Sequence, residues 1–146
     1  MGSSMLELDP RYLADLASQI GSLSAFLGGF AATFLGTLLA LGQKGRAAGW
    51  AIGAAVLSSV AFIVAVVAST MVVAAYNEHA PAIIREVVPV AGGRSLMAKA
   101  FVVGLFGLLA SLACSGWPRS RRTGWTTTII AGLGMLLVTW LIVQFR

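Results

Sequence analysis

Charged side chains are absent from four long intervals of this chain, and this limits the fold more than any other feature. The intervals without Asp, Glu, Lys or Arg include 16–43, 47–77, 100–118 and 123–145. Each can supply the roughly 20 residues that a helix needs to cross about 30 Å of hydrocarbon. We therefore predict four transmembrane helices, with spans of about 20–41, 50–76, 96–117 and 125–145.

The composition supports a membrane environment. Mean hydropathy is +0.91, 58% of the 146 residues are apolar and 10% are charged, which is too little charge to wet the surface of a soluble domain. The predicted fold class is an all-α integral membrane protein with four transmembrane helices in an antiparallel bundle. Residues 1–8 are interpreted as a tag remnant or disordered start, and residues 9–146 as a single transmembrane domain.

The first predicted helix runs from Asp9 to Leu41 and starts outside the membrane. Asp9 is a typical N-cap residue, and Pro10 suits the first helical position. The helix would be about 48 Å long, which exceeds the hydrocarbon thickness, so its amphipathic N-terminal segment should project beyond the membrane. The apolar side of that segment contains Leu13, Leu16, Ile20 and Leu23, and the polar side contains Arg11, Asp15, Ser18 and Ser22.

Small residues continue the polar side into the predicted span. Their small-xxx-small spacing lets another helix approach closely. One row is Gly28, Ala32, Gly36 and Ala40, and the other is Gly21, Ala25, Gly29, Thr33 and Thr37. The candidate pore or helix-packing face is Ser18, Ser22, Ala25, Gly29, Thr33, Gly36 and Thr37. Two interpretations stay open, namely packing inside one chain and packing of identical chains around a symmetry axis.

Part of this helix resembles the first membrane helix of the Orai calcium channels. It reads Ser24-Ala25-Phe26-Leu27-Gly28-Gly29-Phe30-Ala31, against the family pattern Ser-Ala-x-Leu-x-Gly-Phe-Ala. The resemblance implies a four-span protein whose first helix, with an N-terminal extension, lines a hexameric pore. In the same register, Thr37 stands where that family has its selectivity glutamate, and Ser22 stands where it has a pore-lining basic residue. These departures remove the groups that calcium selectivity would need.

The other spans carry few polar side chains. Serine and threonine in membrane helices usually donate to their own backbone or to a neighbouring helix, so we expect structural roles for them in the second span. In the third span, Gly104, Gly107 and Ser111 form a predicted small-residue face. Cys114 is interpreted as a small core residue, since a single cysteine builds neither an internal disulfide nor a zinc site.

The longest connection, 77–93, contains the nearest approach to a cluster of chemically active groups. We expect Gly92 and Gly93 to release the chain before the third span. The possible outer-interface polar cluster is Glu78, His79, Arg85, Glu86 and Lys99. Such a group could bind a metal or a lipid headgroup or sense pH, and the alternative is a solvated loop whose charges pair with one another.

Enzymatic and cofactor chemistry finds no support in the sequence. His79 is the only histidine, and no catalytic motif or metal-ligand spacing is present. No ionisable residue lies in the middle of a predicted span, which excludes the usual proton relay and an axial haem ligand there. We therefore predict no catalytic residues, no metal and no cofactor.

The basic residues sit in connections rather than in a continuous patch. The net charge of +5 is best explained by loop anchoring at a membrane, so nucleic acid is not an expected partner. Dense positive charge in the two short turns favours both termini outside a bacterial inner (plasma) membrane. The two turns carry Lys44, Arg46, Arg119, Arg121 and Arg122, flanked by Trp50, Trp117 and Trp125. A second aromatic belt, on the opposite face, is Tyr12, Tyr76 and Trp140.

Two functions follow from these features. The first is a small homo-oligomeric membrane channel or pore-like protein whose first helix packs around the symmetry axis. The second is a non-transporting accessory, scaffold or sensor subunit of a larger membrane complex. A further alternative is an Orai-like cation channel relative that lacks the selectivity glutamate. The expected partners are the lipid bilayer, identical chains and a larger membrane complex.

Overall fold

Four long helices make up the described part of the chain. The structure is a computed structural model, and it describes residues 10–42, 44–76, 90–118 and 120–144. The helices are α1 (Pro10–Ala40), α2 (Arg46–Tyr76), α3 (Val90–Ser115) and α4 (Arg121–Gln144), and these ranges contain no strand. Each helix is long and apolar enough to cross a membrane by length and composition. The predicted all-α class with four such helices is confirmed to that extent.

Three helices begin earlier than the predicted spans. α2, α3 and α4 start at Arg46, Val90 and Arg121, four to six residues before the apolar runs begin. The difference arises because hydropathy marks where charge ends, whereas helical hydrogen bonding continues through charged residues. Gly92 and Gly93 therefore lie inside α3, and the expectation that they release the chain was wrong.

A glycine turn joins α1 to α2. Gly42 has a φ of 58° and Gly45 a φ of 120°, conformations that side-chain-bearing residues rarely adopt. The Leu41 amide still donates to the Thr37 carbonyl at 3.1 Å, so the last turn of α1 is closed before the chain reverses. The two helices then lie side by side, with Gly21 next to Ser69 and residue numbers rising along α1 as they fall along α2.

A serine cap and a glycine packed against a tryptophan shape the turn between α3 and α4. The Ser120 hydroxyl accepts from the Thr123 amide at 3.1 Å, which satisfies one of the free donors of the first turn of α4. Gly124 lies against the Trp117 ring, where an added Cβ would come within 2.9 Å of the indole. The chain therefore turns tightly without a long loop.

α2 is the central element. It packs against α1 on one side and α3 on the other, while α3 also contacts α4 and touches α1 lightly. Within the described residues, α4 has no contact with α1 or α2. The side chains of α2 that become buried are mostly small, and they are Ala48, Ala51, Ala55, Ser58, Ala61, Phe62, Ala65, Ala68, Ser69, Val72 and Ala75.

Phe62 occupies the middle of the helix assembly. It is fully buried and is the largest side chain so enclosed in the described part. A Cβ on Gly28 would lie 3.1 Å from the Phe62 Cβ, and one on Gly104 would lie 2.9 Å from its ring. Phe62 is therefore accommodated by a glycine from α1 and a glycine from α3. Phe101 meets its ring edge-on, with centroids 6.1 Å apart.

Two hydrogen bonds cross the α2–α3 interface in opposite directions. The Ser58 hydroxyl of α2 donates to the Gly104 carbonyl at 2.7 Å, and the Ser111 hydroxyl of α3 donates to the Ala51 carbonyl at 2.8 Å. Both serines are fully buried. Gly104, Gly107 and Ser111 thus form the close-packing face that the sequence predicts, and the expected interhelical role of serine is confirmed at these positions.

We predict that Gly107→Leu destabilises the chain by about 1–3 kcal/mol through overpacking. A Cβ at this position would already lie 3.3 Å from the Ala54 carbonyl oxygen and 3.2 Å from the Ser58 Cβ. The measurement is loss of helicity by circular dichroism as dodecyl sulfate is titrated into mild-detergent micelles. Gly53→Leu is the matched control, because nothing lies within 4 Å of its Cβ position. Equal midpoints for the two variants would contradict the close α2–α3 packing.

Candidate functional site

The packed face of α1 follows a seven-residue repeat. Ala17, Ser24, Ala31 and Leu38 are all buried, and Leu13 extends the same stripe towards the N-terminus. These residues face α2, where Ala31 joins Phe62 in the central cluster and Leu38 joins Ala51 and Ala55. Ile20 packs at the edge of this stripe, whereas Leu16 and Leu23 are exposed. The packed stripe therefore contains more small residues than the predicted apolar side.

The candidate face predicted from sequence lies on the other side of α1. All seven of its residues are exposed in the single chain, and they are Ser18, Ser22, Ala25, Gly29, Thr33, Gly36 and Thr37. At 3.6 residues per turn, Ser22, Gly29 and Gly36 are nearly opposite the packed stripe. Ser18, Ala25 and Thr37 lie about 100° from it, at the border of the face. Arg11 and Asp15, which begin the polar side, are exposed as well. Packing inside one chain therefore does not use this face.

The structure divides the predicted small-residue rows into two groups. Gly21 and Gly28 face α2, and a Cβ on either would press on Ser69 or Phe62. Gly29 and Gly36 have nothing within 4 Å of the Cβ position. One part of the rows therefore serves packing within the chain, and Gly29 and Gly36 take no part in that packing.

Hydroxyl groups on the exposed face are bonded to their own helix. Ser22 donates to the Ser18 carbonyl at 3.0 Å, Thr33 to the Gly29 carbonyl at 2.9 Å and Thr37 to the Thr33 carbonyl at 3.0 Å. This pattern satisfies each of these three donors without a partner helix. The oxygen lone pairs remain available as weak acceptors on the outer surface.

A ridge of aromatic side chains borders the exposed small residues, and sequence reasoning missed it. Phe26 is 74% exposed, Phe30 is 48% exposed, and Phe34 stacks on Phe30 with ring centroids 6.4 Å apart. The signal was present in the spacing of four between these three residues, which aligns them along one side of a helix. α1 therefore presents a ridge of large side chains beside a shallow groove, which is formed by Gly29 and Gly36.

A separate, open groove of about 440 Å³ lies between α1 and α2, where the exposed face of α1 borders α2. Ser18, Ser22 and Ala25 line it from α1, while Ser69 and Thr70 line it from α2. Ser69 and Thr70 donate to the Val66 and Val67 carbonyls of their own helix. The groove has hydroxyl oxygens and small side chains but no charged lining residue.

The outer-interface polar cluster falls mainly outside the described residues. Glu78, His79, Arg85 and Glu86 belong to 77–89, so their arrangement is not described, and Lys99 is exposed on α3. Among the ranges that the structure describes, no three His, Cys, Asp or Glu side chains are grouped as metal ligands would be. Cys114 is half-buried against Leu38, Ala51 and Ala55, as expected for a small core residue.

Comparisons of this chain with protein-family models, with curated proteins and with solved structures find no match. The function must therefore be argued from the geometry of the chain itself.

We predict that substitution of two adjacent glycines of α1 has different effects on the free energy of unfolding. Gly28→Leu should lower the free energy of unfolding by about 1–3 kcal/mol, because its side chain would meet Phe62. Gly29→Leu should leave protomer stability unchanged, because its side chain would enter open space. Helicity during dodecyl sulfate titration of monomeric protein is the measurement. Equal destabilisation by both variants would show that the two faces of α1 are not distinguished as described.

Proposed function

We propose that the four helices span a membrane as an antiparallel bundle and that identical chains assemble around α1 as a channel-like oligomer. The observation that carries this proposal is the exposure of the whole small-residue face of α1, on the side opposite its packed stripe. In a bilayer, helices associate through close backbone approach rather than through hydrophobic burial. An unoccupied row of glycine, alanine and serine is the surface best suited to such an approach.

The aromatic ridge favours an assembly of identical chains. Phe26 projects beside the groove formed by Gly29 and Gly36, so one copy carries both the large and the small half of a contact. Contacts in which the ridge of one copy meets the groove of the next are heterologous, and rotation that closes them generates a ring. α1 would then be the helix nearest the axis.

A path along this axis would be narrow and uncharged. The oxygens of Ser22, Thr33 and Thr37 would be its polar groups, with backbone and alanine between them. Hydroxyl-lined or apolar constrictions can pass small solutes or be gated by dewetting. Because Thr37 replaces a carboxylate in the Orai-like register, we expect little discrimination in favour of divalent cations.

α4 supports a second candidate function, that of an accessory or scaffold subunit. Only Gly124 and Ala131 of this helix are buried, and large apolar side chains such as Ile130, Leu136 and Leu137 are exposed. Lipid or another membrane protein could cover such a helix. A stoichiometric partner that co-purifies with the chain, with no self-assembled ring, would favour this function over the channel.

We predict that Gly29→Leu and Phe26→Ala reduce self-association in a bilayer. The first fills the groove and the second removes the ridge, and neither change touches the packed stripe. Single-molecule photobleaching of labelled chains in nanodiscs should show a shift from oligomers to single copies. Leu136→Ala is the control, since Leu136 is exposed on α4, which has no contact with α1 in the described residues. An unchanged distribution for both α1 variants would overturn assembly through α1.

We further predict that cysteine accessibility follows the two sides of α1. In a Cys114→Ala background, cysteines at 22, 29 and 36 should react with a charged thiosulfonate reagent and thereby lower solute flux from liposomes. Cysteines at 24, 31 and 38 are matched in depth, but those positions are buried or nearly so and should be protected. A cysteine at Leu136, which is exposed on α4 and has no contact with α1 among the described ranges, controls for lipid exposure. Uniform protection together with no flux would exclude an aqueous path along α1.

A further inference from the structure

The two basic turns lie at one end of the helix assembly. Leu38 near the end of α1, Ala51 near the start of α2 and Cys114 near the end of α3 meet in a single core cluster. Each is within a few residues of the end of its helix, so α1 ends, α2 begins and α3 ends at the same end of the assembly. We call this surface the cationic end.

Positive charge at the cationic end is not neutralised by the chain. Segments 41–50 and 116–126 together contain five Lys and Arg residues and no Asp or Glu. Lys44, Arg46, Arg121 and Arg122 are exposed. The described residues give none of these four side chains an ion pair or hydrogen bond. The described part of the chain therefore supplies no counter-charge to these four side chains, which leaves them able to bind an anion.

The same local pattern begins both helices that start at this end. Arg46-Ala47-Ala48-Gly49-Trp50 opens α2, and Arg121-Arg122-Thr123-Gly124-Trp125 opens α4, so both read Arg-x-x-Gly-Trp from the first helical residue. A separation of four residues aligns arginine and tryptophan along one side of the helix. Trp50 is 74% exposed and Trp125 is 61% exposed. Each helix therefore presents a cation above an outward-facing indole.

We propose that the cationic end binds anionic phospholipid headgroups, with the two Arg-x-x-Gly-Trp segments as its contact sites. This rests on the proposed membrane insertion. Arginine presents a planar fork of donors that matches a phosphate, and an indole one helical turn deeper lies at the level of the glycerol esters. An acidic protein or a nucleic acid would meet the arginines but leave the two indoles and the apolar helix surface beneath them uncovered. A phospholipid contacts the arginines through its phosphate and the indoles through its glycerol esters.

The opposite end of the chain differs in charge. Arg94 and Lys99 are exposed there, but Asp15 lies on the N-terminal segment of α1, and Glu78 and Glu86 belong to the connection between α2 and α3. Trp140 is exposed near the end of α4, and the turn that follows it towards that end, 141–144, holds no basic residue. It therefore serves as an internal reference for an indole at a membrane boundary without paired arginine.

Fluorescence quenching by brominated lipids tests this inference in the full-length chain. Three variants keep a single tryptophan, at 50, 125 or 140, with phenylalanine at the other tryptophan positions, and each is reconstituted with brominated phosphatidylglycerol or brominated phosphatidylcholine. We expect anionic lipid to associate roughly fivefold more strongly than zwitterionic lipid near Trp50 and Trp125, since one basic side chain near the surface contributes about that factor. Near Trp140 the ratio should be close to one.

Substitution identifies the groups responsible. Arg46→Gln should lower the ratio at Trp50 alone, and Arg121→Gln with Arg122→Gln should lower it at Trp125 alone. Arg94→Gln with Lys99→Gln is the control and should change neither ratio. High salt should lower the ratio of anionic to zwitterionic lipid at both Trp50 and Trp125 when the arginines are unchanged. This measurement does not depend on the folding of the arginine variants. Equal ratios at all three tryptophans would overturn lipid selectivity while leaving membrane insertion intact, whereas no quenching by either lipid would overturn insertion itself.

Discussion

Phe62 sets the distances at which the first three helices meet. Its ring is fully buried, and the neighbouring helices accommodate it with Gly28 on one side and Gly104 on the other. In lipid there is little hydrophobic gain when two apolar helices join, so the fit of a large side chain against glycine must supply van der Waals contact directly. The paired hydrogen bonds of Ser58 and Ser111 then fix the register of α2 against α3. Each bond is worth only about 0.6 kcal/mol in a membrane, so their contribution is mainly geometric.

The central position of α2 decides which surfaces remain open. Because α2 takes the close contacts of both α1 and α3, α1 keeps an unoccupied side and α4 is held by α3 alone. The two open surfaces differ in kind. That of α1 combines glycine, alanine and hydroxyl groups with a phenylalanine ridge, whereas that of α4 carries large aliphatic side chains such as Leu136 and Leu137. Lipid chains cover bulky aliphatic surfaces well, but they gain less from a shallow row of small residues, so we expect the α1 surface to contribute more than that of α4 to the proposed assembly.

Much of the fold was predictable because charge and hydropathy act over whole helices. The four helices, the small-residue face of α3 and the back-bonded hydroxyls follow from rules that need no tertiary contact. The packed side of α1 could not be predicted in this way, because small residues occur at nearly every position around that helix. Gly28 and Gly29 are adjacent and chemically identical, and only the position of Phe62 makes one a packing residue and the other a surface residue. The helices begin before the predicted spans for a related reason, since Arg46 and Arg121 are helical and charged at the same time.

A seven-residue repeat on the packed stripe has a consequence for the open side. Residues 17, 24, 31 and 38 are all buried, and helices keep a seven-residue repeat in contact by winding slightly around each other. Residues 22, 29 and 36 repeat at the same interval, so the exposed groove follows the same winding rather than drifting around α1. A second helix laid in that groove would therefore stay in contact along its length. The same periodicity that holds α1 to its own chain makes its outer side a continuous surface, whereas an open row of glycines with a different repeat would offer only a short crossing point.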